Sequence, residues 1–167
     1  MTAFFGGLLH PLLVPAHVMA MLALALLIGQ QNWDRAAAVV YVAAVLAGLG
    51  AIALAYVPRW AEEGLLGSAT LAGLLVALAR PLPGPAVASL AGALGLALGL
   101  DSPPEVISLR DANLALLGTA LGAVIVPGAL ATVTPRLAGS WPRIGVRILG
   151  SWIAASGILV LALRLLR

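Results

Sequence analysis

The sequence predicts an all-α protein, a polytopic transmembrane bundle of about six helices. Three observations carry that expectation. Apolar residues make up 62% of the 167 and charged residues 9%, with a mean hydropathy of +1.11. A soluble domain of this size needs about 25% charged residues to cover its surface, so lipid has to be the solvent. The apolar residues gather in long blocks separated by charges and prolines. Within the blocks there is no alternation of period two, which a lipid-exposed barrel strand requires.

One transmembrane domain, 1–167, divides into spans at about 3–29, 36–57, 65–80, 85–100, 112–134 and 144–165. The first begins at once in apolar sequence and closes at Gln30, Gln31, Asn32, Asp34 and Arg35. No Lys or Arg precedes it, as a cleaved signal peptide would require, so it reads as a retained span. The second is closed by Pro58, Arg59 and the pair Glu62 and Glu63. The third stops at Arg80, and the Pro81-Leu82-Pro83-Gly84-Pro85 stretch turns the chain, because proline lacks an amide donor and restricts the residue before it. The fourth ends in the longest polar loop, Asp101 to Asp111, which includes Glu105. The fifth carries Pro127, and the sixth is flanked by Arg143, Arg147, Arg164 and Arg167. Blocks three and four are short for a hydrocarbon core of about 30 Å. They borrow residues from their flanks, thin the membrane, or pair as a re-entrant hairpin.

All nine basic residues are arginines, scattered singly, so the positive balance does not point to nucleic acid. They read as anchors beside helix ends. With six spans, Arg35, Arg80, Arg136, Arg143 and Arg147 share one side against Arg59, Arg110, Arg164 and Arg167 on the other. That asymmetry is small and favours both termini outside the cytoplasm. Without cysteine there are no disulfides and no thiolate metal sites. Gly95 with Gly99, and Gly118 with Gly122, put two glycines on one helix face. Such faces allow close backbone approach, either within the bundle or in a homo-oligomer or larger membrane complex.

Chemistry concentrates in the first span. His10 and His17 are the only histidines, and seven residues is about two helical turns, so both rings share a face of a continuous helix. Met21 lies one turn beyond His17. Pro11 and Pro15 each delete a backbone hydrogen bond, and freed carbonyls are tolerated in a membrane only where protein or water covers them. A polar, kinked helix with two histidines is a candidate functional site. The structural alternative places His10 at the interface and has His17 hydrogen-bond a neighbouring helix.

At these residues the sequence resembles the HupE/UreJ family, small bacterial membrane proteins associated with nickel supply to hydrogenase and urease. The family's first signature is a histidine, five residues, then Asp-His. His10, Pro11, His17, Ala20 and Met21 fit that frame, while Ala16 occupies the acidic position. Its second signature reads Phe-His-Gly-x-Ala-His-Gly-x-Glu. It aligns with residues 93–101, where Gly95, Ala97 and Gly99 match, Asp101 replaces the glutamate, and Leu94 and Leu98 stand at both histidine positions. Residues 147–155 resemble the family's last helix. The resemblance implies a metal site at His10, His17, Met21 and Asp101, with the first and fourth spans brought together there.

The expected function is therefore that of a nickel or transition-metal permease or metal-delivery accessory protein in the bacterial inner membrane. No resident cofactor is implied; the cargo is a divalent metal ion such as nickel. Nickel favours four to six nitrogen and oxygen donors, more than these residues supply. The alternative is a transport-inactive family descendant serving as a structural or assembly subunit, marked by Leu94 and Leu98 packed against the first helix. An enzyme is not expected: Ser68, Ser89, Ser151 and Ser156 belong to no nucleophile motif, and there is no phosphate-binding loop.

Overall fold

The structure, a computed structural model, describes residues 2–31, 35–104, 108–134 and 140–166. Asn32, Asp34, Glu105, Arg136 and Arg167 lie outside the described residues. Seven helices run in chain order: α1 Thr2–Leu13, α2 Pro15–Gln30, α3 Arg35–Ala53, α4 Ala61–Leu78, α5 Gly84–Leu100, α6 Leu109–Val133 and α7 Ser140–Leu165. There is no strand among the described residues.

Six expected spans become seven helices because the first one breaks. α1 and α2 meet at Val14 with a bend of 71°. Val14 precedes proline and adopts extended backbone, φ −93° and ψ 115°, as the clash with the proline ring demands. Pro15 then opens α2, where its missing amide donor costs nothing. α4 begins at Ala61, four residues earlier than the apolar block, with Glu62 and Glu63 in its first turn, where carboxylates suit the helix dipole. Its 18 residues are then long enough to cross. α3, α4, α6 and α7 are each long and apolar enough to span, and α1 with α2 makes a fifth if the bent pair is one crossing. α5, with 17 residues, is shorter, at the lower limit for a span.

Three helix pairs surround α2: α3 with α5, α4 with α7, and α1 with α6. α2 itself touches α1, α4, α5, α6 and α7, and Ala23 to Gly29 are buried without interruption. A helix apolar all round belongs in such a centre. The pairs close on glycine. A methyl group on Gly99 would lie 2.6 Å from the Val45 carbonyl oxygen of α3, and one on Gly48 would lie 2.9 Å from the Gly99 Cα. Gly118 and Gly122 face the α1 backbone at Phe4 and Leu8, and Gly73 and Gly150 face each other between α4 and α7. Both glycine pairs singled out in the sequence thus serve packing inside this chain. Dispersion between close backbones replaces the hydrophobic drive that lipid removes.

Neighbouring contacts fix the directions. Gln30 Nε2 donates to the Val76 carbonyl (3.2 Å) and Arg147 Nε to the Ala77 carbonyl (2.9 Å). Arg164 pairs with Glu62, and lies 3.6 Å from Glu63, at the far end. α2, α4 and α6 therefore run one way and α3, α5 and α7 the other. Outward-facing side chains include Val39, Leu46, Leu117, Ile125, Trp152 and Leu159, a surface that only lipid can cover at this extent.

Candidate functional site

The start of α2 and the end of α5 meet at one end of the bundle. His17, in the first turn of α2, is completely buried, and its Nε2 lies 3.1 Å from Asp101 Oδ2. Asp101 caps α5, its amide donating to the Ala97 carbonyl at 2.9 Å, and its side chain is 22% exposed. A carboxylate at a helix C-terminus faces the negative end of that dipole. An imidazole N–H donor from another helix offsets the penalty. With the proton on Nε2, His17 donates to Asp101 and its Nδ1 presents a lone pair. That Nδ1 is buried and has no hydrogen-bond partner among the described residues.

His10 reaches the same place by a different route from the one expected. On a continuous helix, seven residues would separate the two histidines by about 10 Å along the axis. The bend at Val14 swings α1 aside instead, and the two rings meet edge to face with centroids 5.3 Å apart. Met21 is buried one turn further into α2. The expected convergence of the first span with the helix ending at Asp101 is thus present in the His17–Asp101 contact.

The ligand count is smaller than a closed metal site needs. Among the described residues, no three of His, Asp and Glu come together closely enough to hold a metal ion. Leu94 and Leu98, at the two histidine positions of the family signature, are 1% exposed and belong to the same apolar core as Met21 and Leu24. Gly95 and Gly99 turn away toward Tyr41 and Val45 of α3. Tyr41 donates to the Ala123 carbonyl at 2.8 Å inside the bundle, tying α3 to α6.

Sequence reasoning passed over one feature beside this site. A cavity of about 430 Å³ opens between α1, the start of α6 and the residues after α5, and its polar lining is Thr2, His10, Ser102, Asp111 and Thr119. Asp111 sits in a capping arrangement, receiving the Ser108 hydroxyl on Oδ2 (2.8 Å) while its amide donates to Ser108 Oγ (3.1 Å). The Ser-x-x-Asp spacing was readable as a helix start; that it faces His10 was not. Ser68 and Ser151 donate to carbonyls of their own helices, which is an ordinary use of a hydroxyl in lipid.

Fold and site together define a multi-pass membrane protein with a buried histidine–carboxylate contact where two helix ends meet. The model of the HupE / UreJ protein family matches residues 1–160, and the chain belongs to that family. At the level of the family this makes it an accessory membrane protein of nickel and metal supply. No curated protein and no solved structure matches it.

Proposed function

We propose that this protein carries a divalent transition metal ion such as nickel across the bacterial inner membrane, as a permease and not as an enzyme. The His17–Asp101 contact is the observation that carries the reading. Imidazoles that bind metals characteristically give their second N–H to a carboxylate, which fixes the tautomer and raises the basicity of the ligating nitrogen. Here Asp101 takes that second N–H at 3.1 Å and leaves the buried Nδ1 of His17 as the ligating atom. Asp101 is then the orienting partner of the ligand. His10, one ring away, is the second imidazole, and Met21 supplies a soft thioether deeper in α2. Water completes the shell, since nickel takes four to six donors.

The charged residues favour one direction. Arg35, Arg80, Arg143 and Arg147 lie at the end away from the site, with no described acid beside them, against Arg59, Arg110 and Arg164 at the site's end. Glu62, Glu63, Asp101 and Asp111 lie at the site's end. Placing the end with the small arginine excess in the cytoplasm opens the site to the outside, so the ion moves inward.

A second reading is a family member that no longer transports and serves as an assembly subunit. Burial of Leu94 and Leu98 in the apolar core favours it. Uptake of radiolabelled nickel by nickel-starved cells decides between the two. The natural protein is expected to exceed the empty vector, and a His10→Ala, His17→Ala double variant at matched expression is expected to fall to the vector level. No uptake by the natural protein would reject the permease, and copurification from solubilised membranes would then identify the complex it serves.

A further inference from the structure

The cavity beside the histidines has a chemistry of its own. Ser102 and Thr119 are 2% and 3% exposed, and both hydroxyl hydrogens are committed: Ser102 Oγ donates to the Leu98 carbonyl (2.7 Å) and Thr119 Oγ1 to the Gly7 carbonyl (3.2 Å). What these hydroxyls turn to the cavity is lone pairs. Asp111 adds a carboxylate with acceptor capacity beyond its one bond from Ser108. Among the described residues no arginine lines the cavity, and Arg110, next to Asp111 in sequence, is exposed. Acceptors from Ser102 and Thr119 beside the negative charge of Asp111 suit a cation better than an anion.

Size gives the state of that cation. Six waters occupy about 180 Å³ at roughly 30 Å³ each, so a cavity of about 430 Å³ takes an ion with its whole hydration shell. The described His, Asp and Glu side chains do not cluster in threes, so direct coordination there is poor and contact through water is favoured. The cavity also adjoins the buried site twice, through His10, whose ring meets that of His17, and through Ser102, which follows Asp101.

We propose that this cavity is a second, outer cation site, which holds a hydrated divalent metal ion against the Asp111 carboxylate. The proposal rests on the permease reading only for the ion's destination: from this vestibule the ion sheds water stepwise as His10 and then His17 take it. Asp111 is thus a capture residue, whereas His17 is a ligand of the dehydrated ion.

Cobalt(III) hexaammine separates the two sites, because its ammine ligands do not exchange and it binds only through its outer shell. Calorimetry on the purified full chain in lipid nanodiscs is expected to show about one equivalent bound. Asp111→Asn retains an acceptor for Ser108 but loses the charge, and should weaken that binding about tenfold, the scale of removing one charge close to a trivalent ion in a wet cavity. His17→Ala should leave it within about twofold. Ser108→Ala breaks the helix cap but keeps the carboxylate, and should also stay within about twofold. In nickel uptake, Asp111→Asn should raise KM about tenfold with little change in maximal rate. No hexaammine binding by the natural protein, equal binding by Asp111→Asn, or an equal loss in Ser108→Ala would each overturn the vestibule. Binding that depends on Asp111 in a protein that takes up no nickel would uphold the vestibule and reject the permease.

Discussion

At the scale of single residues, the site turns on which nitrogen of His17 is committed. Nε2 faces Asp101, and Nδ1 is buried without a partner among the described residues. Two substitutions separate hydrogen bonding by the carboxylate from its charge. Asp101→Asn keeps an oxygen that accepts from Nε2, whereas Asp101→Leu leaves that N–H unpaired. If Asp101 orients the ring, nickel uptake should fall about 10- to 100-fold in Asp101→Leu, the usual cost of losing such a partner, and clearly less in Asp101→Asn. Equal losses would instead make the carboxylate a direct ligand. Asp101 was legible in the sequence as the counterpart of the family's glutamate. Asp111 was not singled out, because a Ser-x-x-Asp helix start is common and its neighbours across space come from α1.

Elements carry the next level of the argument. The sequence marked Pro11 and Pro15 as breaks in hydrogen bonding, yet the consequence is larger than a kink. Val14, held in extended backbone by the following proline, lets α1 turn through 71° and lie against α6, where Gly118 and Gly122 admit its backbone. The same turn brings His10 to His17. Pro15→Ala restores a donor and frees Val14, and should draw residues 11–18 toward a continuous helix with the imidazoles moving apart. Nickel uptake is then expected to fall several-fold at unchanged expression. Unaltered uptake would show that packing of α1 on α6, and not the proline, holds the bend. At the other end of α2, Gln31 joins the connection between α4 and α5, donating to the Arg80 carbonyl and accepting from the Leu82 amide, both at 3.1 Å.

The whole molecule is a central helix ringed by three pairs, with a polar site at one end and Arg35, Arg80, Arg143 and Arg147 at the other. Ala20, Met21, Leu24 and Leu27 of α2 fill the centre between them and are almost completely buried. Under the permease reading, an ion at His17 moves onward only when α2 or its neighbours shift, because these side chains are packed on all sides. Because the chain has no cysteine, single-cysteine variants report its sidedness without background. Trp60→Cys, at the exposed start of α4, should react with an impermeant maleimide on intact spheroplasts. Arg80→Cys, exposed after α4, should react only when the membrane is opened. The reverse pattern would put the site on the cytoplasmic face and turn the proposed direction round.

Composition determined that this chain lives in lipid, because so few charges cannot cover a folded surface in water, and long apolar blocks without period-two alternation made it a helix bundle. Spacing singled out His10, His17 and Met21, and resemblance to the family's signatures added Asp101 as the counterpart of its glutamate. Tertiary structure decided the rest. Only the packed bundle shows that a histidine and a carboxylate 84 residues apart touch, that Leu94 and Leu98 are core residues, and that α1 packs against α6. Apolar periodicity cannot reveal these outcomes, because a helix buried in protein and a helix facing lipid carry the same side chains. Which faces meet is settled by where glycines let backbones approach, and that is a property of pairs of helices and not of any one segment.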